Sequence, residues 1–334
     1  MGISHPDTSH AYGDLRPAHV LTALEAVSFR CDGRLLALNS YENRVYEVGI
    51  DGGEPVVAKF YRPGRWSDEA IIEEHAFALE LAAVEVPVVA PLAIGGRTLH
   101  RSGAFRFAVF PRHGGRPPEL DDFAMLQQLG RFVARIHLVG ETRTFADRPA
   151  IDVDSYGIAS RDFLLRHDFI PADLISAYRS VSEHVCSEVR ACYERAGQVR
   201  QLRLHGDFHP GNVLAREGQL HIVDLDDCRL GPSVQDLWMF LSGDRAEQTP
   251  QLEALLAGYE QFRAFDAREL HLVEALRSLR IMHYAAWLAR RWEDPAFRLA
   301  FPWFANRRYW DEHVLSLREQ VALMQEPPLE WLAR

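Results

Sequence analysis

The chain has 334 residues, of which 47% are apolar and 25% charged, a composition typical of a folded globular protein. This length exceeds what one small hydrophobic core can organise and favours two packed lobes. The formal net charge of −10 leaves no excess of Lys and Arg with which to neutralise nucleic-acid phosphates. We therefore predict no nucleic-acid partner.

Three features of the sequence concern its location. The four cysteines are widely spaced, with no CxxC pair, as is typical of reduced thiols in a cytosolic protein. Residues 1–12 are polar and rich in His, without the basic-then-apolar pattern of a signal peptide. The longest apolar run, residues 77–94, is interrupted by prolines and glutamates and is too broken to cross a membrane. These features predict a cytoplasmic location and no membrane partner.

The first third of the chain carries strand signals. Residues 44–48 (RVYEV) and 56–60 (VVAKF) are rich in β-branched and aromatic side chains, and Asp-Gly-Gly at 51–53 predicts a hairpin turn between them. A helix is predicted over residues 67–83, with Ser67 as its N-cap. This pattern predicts a small lobe that contains a sheet and one helix.

Helical periodicity dominates after the Pro- and Gly-rich stretch at 111–118. Apolar side chains recur at helical spacing, for example Leu126, Leu129, Val133 and Ile136. We therefore predict an α+β protein with two lobes. The small lobe comprises residues 1–111 and the mainly helical lobe residues 112–334, and a cleft between lobes is a common place for a ligand.

One strand-loop-strand island within the helical part carries the most informative polar residues. Asp207 precedes Asn212 by five positions, and Asp224 ends the following strand. A carboxylate that orients a hydroxyl, together with oxygen ligands for Mg²⁺, is the requirement of phosphoryl transfer. The same island contains His205 and His209, which in a zinc hydrolase would be metal ligands.

A lysine in an apolar strand supplies the upstream partner of this set. Burial of a lone ammonium group is costly, so Lys59 either reaches solvent from an edge strand or points to a ligand and a carboxylate. Glu73 and Glu74 lie at a suitable distance in the next helix, and we favour Glu74 because it shares a helical stripe with Leu81. The combined set predicts a kinase-type phosphotransferase.

These motifs resemble those of the aminoglycoside phosphotransferase and choline kinase group of protein-kinase-like enzymes. Within that group the chain closely resembles the bacterial stress response kinase A family of Ser/Thr protein kinases, over about residues 14–330. The matching blocks are 38–46 (LNSYENRVY), 59–62 (KFYR), Trp66, 73–79 (EEHAFAL), 109–111 (VFP), 205–214 (HGDFHPGNVL), 223–227 (VDLDD), 231–244 (GPSVQDLWMFLSGD) and 290–297 (RRWEDPAF).

The resemblance implies a bilobal protein-kinase-like fold that uses ATP with Mg²⁺ as cofactor. It implies that Asp207 is the proton acceptor, that Asn212 and Asp224 are metal ligands, and that Asp224 also belongs to the catalytic set. Ser40 would lie in the loop that meets the nucleotide phosphates, and Phe110 at the hinge where backbone groups meet adenine. A monomer acting on a protein Ser/Thr hydroxyl is the implied form.

One departure concerns the phosphate loop. Protein kinases use a Gly-rich loop there because backbone amides must approach the phosphates closely, whereas residues 39–44 (NSYENR) contain no glycine. The hydroxyl of Ser40, together with Asn43 or Arg44, would have to supply these contacts.

Three further side chains have two readings each. His205 is expected to support the loop, by bonding the loop backbone or Asp224, rather than to act in acid-base catalysis, and His209 either touches the phosphates or satisfies a loop carbonyl. Asp236 either anchors the catalytic loop by accepting backbone N–H bonds or is a charge at a helix N-terminus.

Two other functions remain open from the sequence. A small-molecule kinase of the same fold would act on an amino alcohol, a sugar or an aminoglycoside-like compound, and the net charge suits a cationic acceptor. A nucleotide-binding regulator without catalysis is the third hypothesis, which no residue favours.

Overall fold

The structure is a computed structural model that describes residues 11–331. Residues 1–10, which form most of the polar His-rich segment, and 332–334 lie outside the described part. The chain divides into two compact units. The described part of Met1–Leu79 joins Val89–His113 and Arg291–Phe301 in the small unit, and Glu80–Val88, Gly114–Arg290 and the rest from Pro302 form the large unit. The sequence predicts a single boundary after residue 111. In the structure, residues 80–88 belong to the large unit and Arg291–Phe301 belongs to the small unit.

The small unit is built on a five-stranded sheet in the order β1-β2-β3-β5-β4, with every neighbouring pair antiparallel. The predicted hairpin is confirmed, and Gly52 in its turn has a φ of +67°. The predicted helix is also confirmed, and the Ser67 hydroxyl accepts a hydrogen bond from the Ala70 amide at its start. The elements are β1 (Cys31–Leu38), β2 (Arg44–Ile50), β3 (Val56–Tyr61), β4 (His100–Ser102) and β5 (Phe105–Pro111), with α1 (Pro17–Glu25) and α2 (Asp68–Ala83), whose last turn belongs to the large unit.

The alternation of side chains along β3 separates its core face from its polar face. Val56, Ala58 and Phe60 pack into a cluster that also includes Phe105 and Phe107. Because successive side chains of a strand point to opposite faces, residue 59 lies on the other side of the sheet.

The large unit is mainly helical. Its helices are α3 (Phe123–Gly140), α4 (Ala159–Arg166), α5 (Ile175–Ala196), α6 (Arg245–Tyr259), α7 (Val273–Arg290) and α9 (Arg307–Gln325), whereas α8 (Pro295–Ala300) lies in the small unit. The predicted stripe of α3 is buried, and helices α5, α7 and α9 pack on one another. None of the helices within residues 11–331 has the length and apolar character needed to cross a membrane.

Two glycines let α3 and α6 approach closely. A Cβ atom placed on Gly130 would lie 1.9 Å from the carbonyl oxygen of Leu255, and one on Gly258 would lie 1.9 Å from that of Gln127. A side chain at either position would therefore force these helices apart. Strand β6 (Leu202–Leu204) packs on α3, one of the two helices of this pair.

Four short strands of the large unit frame the island that carries the polar motif. Strand β6 pairs with β9 (Arg229–Gly231), and β7 (Val213–Arg216) pairs with β8 (Gln219–Ile222), both antiparallel. The predicted catalytic loop connects β6 to β7, and the segment with Asp224 connects β8 to β9. The two loops are joined by a hydrogen bond from the Val223 amide to the Asn212 carbonyl, 3.0 Å long.

Candidate active site

Lys59 lies in the middle of the small unit's sheet, opposite Val45 on β2 and Ala108 on β5. Its side chain is only 8% exposed, so it is not an edge-strand lysine that reaches solvent. The ammonium nitrogen lies 3.3 Å from a carboxylate oxygen of Glu74 on α2, whose side chain is 3% exposed. Of the two glutamates that the sequence left open, Glu74 is thus the one in this buried ion pair.

Tyr61 supports the buried ion pair from the same face of β3. Its hydroxyl lies 3.4 Å from the same Glu74 oxygen, and its ring centroid lies 5.0 Å from the Lys59 nitrogen. The hydroxyl also lies 2.7 Å from a ring nitrogen of His75. Since a buried charge is stable only when it is paired and hydrogen-bonded, these contacts hold Lys59 in one place.

Phe110, the predicted hinge residue, is the penultimate residue of β5 and lies opposite Val57 on β3. It is partly buried against the small cluster of Tyr61, Ile71 and Ala108. The small unit's middle segment ends three residues later, at His113. Phe110 therefore occupies the end of a strand, close to the point where the chain leaves the small unit.

Ser40 lies in the glycine-free loop between β1 and β2, where it is partly exposed. The neighbours that the sequence suggested as phosphate contacts have other partners in this loop. Asn43 is buried and accepts a hydrogen bond from the Arg62 amide at 3.1 Å. The Arg44 guanidinium donates to the Tyr41 carbonyl at 3.2 Å. Of the three residues suggested, Asn43 and Arg44 thus help to hold the loop itself.

A segment from near the C-terminus, Arg291–Phe301, which we call the return segment, packs on this loop within the small unit. The Glu42 carboxylate is bonded to Arg62 at 3.1 Å and to Arg291 at 2.5 Å. The Tyr41 ring lies 4.8 Å from the Phe301 ring. The return segment contains most of the RRWEDPAF block, which the sequence singled out without a role, and its contacts fix the loop that carries Ser40.

Asp294 of the return segment completes this network. It accepts a hydrogen bond from Arg62 at 2.8 Å and lies 3.5 Å from Arg44, and it also caps α8 by accepting from the Ala296 amide. Burial would raise the pKa of the Asp294 carboxyl, but the hydrogen bond from Arg62 and the nearby cations outweigh it and lower the pKa. The carboxylate is therefore ionised at neutral pH, as the ion pairs require.

Asp207 lies in the loop between β6 and β7, in the large unit, and its side chain is 24% exposed. One carboxylate oxygen accepts a hydrogen bond from Arg280 of α7, and the other lies 3.5 Å from Nε2 of His209. Burial acts to raise the pKa of Asp207, yet the hydrogen bond of His209 and the charge of Arg280 bring it below the ordinary value. The carboxylate is thus charged and able to accept a proton or orient a hydroxyl.

The loop that carries Asp207 is anchored by a fully buried carboxylate. Asp236 accepts hydrogen bonds from the amides of His205 at 2.8 Å and Gly206 at 2.9 Å, and His137 lies 3.3 Å away. Asp236 lies in a short 3₁₀ helix, Ser233–Asp236, and its two bonds to backbone amides are those expected of an anchor for the loop. Its neighbour Gln235 donates to the carbonyl of Gly206 at 2.8 Å.

Gly206 is required at this anchored turn. Its φ is +83°, and a Cβ atom there would lie 2.2 Å from the carbonyl oxygen of Asp227. A side chain at this position would both strain the backbone and separate the two loops that carry Asp207 and Asp224. Gly206, which immediately precedes Asp207, is therefore restricted both by its backbone conformation and by its close approach to the loop that carries Asp224.

Asn212 and Asp224 have the chemistry of magnesium ligands. The Asn212 amide nitrogen donates to the Asp207 carbonyl at 2.9 Å, which directs the amide oxygen away from that bond. Asp224 is exposed and has a φ of +62°, a strained conformation that often marks functional sites. One amide oxygen and one carboxylate suit Mg²⁺, which is usually held by few protein oxygens and by substrate phosphates. This pair therefore fits the predicted ion.

The two histidines of the loop are engaged in ways that do not suit zinc. Nε2 of His205 lies 2.9 Å from the Val223 carbonyl, and Nδ1 of His209 accepts from the Gly211 amide at 3.0 Å. Residues 11–331 contain no group of three or more His, Cys, Asp or Glu side chains that is arranged to hold a metal. His205 supports the loop, as expected, and His209 bonds a loop amide rather than a carbonyl.

Sequence reasoning missed two residues that contact the catalytic loop. Arg280 lies 73 positions beyond Asp207, and on α7 it reads as one more polar residue of an amphipathic helix. Gln235 lies within a block that was recognised only by resemblance. No local spacing signals either contact, because the partners meet only when α7 and the 3₁₀ helix pack on the loop.

The sequence and the fold are both similar to those of known proteins. A family model described as the phosphotransferase enzyme family matches residues 34–273. The fold and the site therefore define a phosphotransferase with the protein-kinase-like fold, which confirms the predicted fold class.

Two relatives of known name identify the branch. Stress response kinase A of Escherichia coli (strain K12) is 44% identical over 324 residues, which are 97% of this chain and 98% of that protein. Serine/threonine protein kinase RdoA of Salmonella typhimurium (strain LT2) is 43% identical over the same shares. The chain belongs to the stress response kinase A family within the phosphotransferase enzymes, and it is a kinase.

Solved structures share the fold at lower identity. Amicoumacin kinase, in complex with AMP-PNP, Ca²⁺ and its amicoumacin ligand, has a TM-score of 0.70 at 20% identity and covers 93% of this chain and 94% of its own. A microcompartment-associated aminopropanol kinase has a TM-score of 0.66 at 19% identity, with 92% and 96% covered. These likenesses show the fold alone.

Proposed function

We propose that this chain is an ATP-dependent, Mg²⁺-requiring Ser/Thr protein kinase. The observation that carries the proposal is the anchored loop on which an ionised, partly exposed Asp207 precedes Asn212, with Asp224 on the loop bonded to it. Lys59, held by Glu74, supplies the cation for the α- and β-phosphates. Ser40 and the end of β5 near Phe110 serve the phosphates and the adenine.

The reaction transfers the γ-phosphoryl group of ATP to a hydroxyl. The hydroxyl oxygen forms a bond to phosphorus, the bond to the β–γ bridging oxygen breaks, and ADP leaves with that electron pair. Asp207 orients the hydroxyl and accepts its proton. Such general-base assistance typically contributes about 10²–10⁴-fold to the rate.

Asn212 and Asp224 would hold the magnesium ion. When bound, Mg²⁺ neutralises the charge that develops on the phosphate oxygens. The chain's own contribution is to fix these two ligands. Asn212 is oriented by its bond to the Asp207 carbonyl, and the residue before Asp224 is bonded to the Asn212 carbonyl.

The protein acceptor is proposed from the relatives, one of which is named a serine/threonine protein kinase. The environment of Asp207 supports it against a cationic small acceptor. The nearest charged side chain of α7 is the guanidinium of Arg280, which repels an ammonium group. A cytoplasmic location and a monomeric state remain predictions.

The test is phosphate transfer from labelled ATP to dephosphorylated casein in the presence of Mg²⁺. We expect Asp207→Asn to lower the transfer rate at least about 100-fold. Asp168→Asn, which changes an exposed aspartate of the same unit, is the matched control and retains full activity. Unchanged labelling by the Asp207 variant contradicts the catalytic assignment.

The same assay separates the remaining alternatives. Turnover of a small hydroxylated compound without protein labelling would establish a small-molecule kinase instead. Thermal stabilisation by ATP and Mg²⁺ without transfer to any acceptor would establish a nucleotide-binding regulator.

A further inference from the structure

A groove on the large unit lies between α7, α9 and Trp238 and has a volume of about 590 Å³. We call it the α7–α9 groove, and this volume is in the range that accommodates a drug-sized ligand. Six of its nine lining residues carry an aromatic ring, a guanidinium group or an imidazole ring. The residues used below are Trp238, Arg277, Arg280, Tyr284, Tyr309 and His313.

Two contacts connect the groove to the catalytic loop. Arg280 lines the groove and donates to the carboxylate of Asp207. Trp238, which also lines the groove, donates from Nε1 to Gln235 at 3.1 Å, and Gln235 donates to the carbonyl of Gly206. A molecule bound in the groove therefore lies against Arg280, which touches the predicted proton acceptor, and against Trp238, which reaches Gly206 through Gln235.

Two polar atoms of residues that line the groove have no hydrogen-bond partner within the described chain. Nη2 of Arg277 and Nε2 of His313 are both buried and make no hydrogen bond among residues 11–331. The Arg277 guanidinium lies 4.8 Å from the centre of the Trp238 ring, and its Nε is bonded to Glu274. Buried polar atoms are normally hydrogen-bonded, so these two atoms indicate a ligand that brings its own polar groups.

The charges select the kind of ligand. Two guanidinium groups line the groove, and its acidic side chain, Glu312, is already bonded to Arg308 at 2.6 Å. Arginine binds carboxylates through paired hydrogen bonds, and it repels ammonium groups. Exposed Tyr284 and partly buried Tyr309 add flat surfaces that suit the side chains of a peptide.

We propose that the α7–α9 groove binds the acceptor protein as a peptide segment that carries a carboxylate close to the Ser or Thr hydroxyl. The acceptor carboxylate bonds Arg277 and displaces Asp207 from Arg280, which leaves Asp207 to orient the hydroxyl. This inference rests on the proposed protein kinase function and adds the class of acceptor to it.

The first experiment compares serine peptides that differ only beside the serine, with Asp, Asn or Lys at that place, as acceptors for the full chain with ATP and Mg²⁺. One charge-assisted pair corresponds to about a tenfold preference in kcat/KM for the acidic peptide. We expect Arg277→Gln to reduce this ratio to about one. Arg277→Glu is expected to reverse it in favour of the Lys peptide.

Controls separate specificity from folding. Arg307→Gln removes an exposed arginine of α9 that is paired with Asp173 and leaves the peptide ratio unchanged. Thermal unfolding of each variant checks that the fold is retained. A charge reversal that moves the preference from one peptide to another cannot result from partial unfolding, because loss of fold lowers all three rates together.

A binding measurement provides a readout that does not require transfer. Asp207→Asn removes the carboxylate that occupies Arg280, so we expect it to bind the fluorescently labelled Asp peptide about threefold to tenfold more tightly than the unchanged chain. Equal or weaker binding would contradict the proposed displacement of Asp207 from Arg280 by the acceptor carboxylate.

The outcomes distinguish this inference from the proposed function. Transfer to all three peptides at equal rates overturns the groove assignment while the protein kinase function stands. Turnover of a small hydroxylated compound with no transfer to any peptide overturns both. An acidic preference that survives in Arg277→Gln also contradicts the assignment.

Discussion

Asp294→Asn tests whether the return segment positions the loop that carries Ser40. The carboxylate accepts from Arg62 at 2.8 Å and lies 3.5 Å from Arg44, two residues that also bond the backbone of this loop. Asparagine has nearly the same shape and retains an oxygen for the Ala296 amide that Asp294 caps. The substitution therefore removes the negative charge and keeps the helix cap.

The size of the effect follows from burial. Asp294 is 8% exposed, so water screens its ion pairs little. A hydrogen bond to a charged group contributes about 1.5–3 kcal/mol, and the amide nitrogen that faces Arg62 in the asparagine variant cannot accept it, because Arg62 and the Ala296 amide bond different oxygens of Asp294. A loss of about 1.4 kcal/mol in holding the loop corresponds to a tenfold weaker affinity for ATP. Because Asp207 belongs to the other unit, we expect kcat to change less than about threefold.

Initial rates measured over a range of ATP concentrations at saturating acceptor give the two constants. Asp266→Asn is the matched control, since Asp266 also caps a helix and pairs with an arginine, but in the large unit. It is expected to leave the KM for ATP unchanged. An Asp294→Asn protein with normal KM for ATP and a reduced kcat would refute a role of the return segment in nucleotide binding.

Other predictions concern the buried charges. Glu74→Gln breaks the pair with Lys59, so we expect the free energy of unfolding, measured in urea, to fall by about 3 kcal/mol. The rate of transfer from labelled ATP should fall at least tenfold. Glu73→Gln should have a much smaller effect on both. Asp236→Asn places an amide group against a backbone N–H and should abolish transfer, whereas normal activity would show that the loop needs no such anchor. Burial raises the pKa of Glu269 from 4.5 to about 7, so between these pH values the folded chain binds a proton that the unfolded chain does not. The free energy of unfolding therefore falls by about 3 kcal/mol as the pH rises through this range. Glu269→Gln should lack this decline in unfolding measured from pH 5 to pH 8, and an identical decline in both proteins would contradict the cause.

Much of the fold follows from local sequence. The hairpin at 51–53 depends on a turn that glycine permits, and the helix from Asp68 depends on its serine cap and apolar spacing. The predicted catalytic residues are recognisable for a similar reason. Asp207 and Asn212 lie on one loop, so a fixed spacing of the two residue types in the sequence is enough to predict their proposed roles.

The partners of these residues were decided by tertiary structure alone. Arg280 meets Asp207 across 73 positions, and the return segment meets the Ser40 loop across about 250. A buried charge is stable only beside a partner that bonds it, and the periodicity of the sequence does not indicate which distant residue becomes that partner. The sequence therefore determined which groups could perform phosphoryl transfer. Tertiary packing decided how those groups are held, because a carboxylate or a guanidinium is fixed only by side chains brought from elsewhere in the chain.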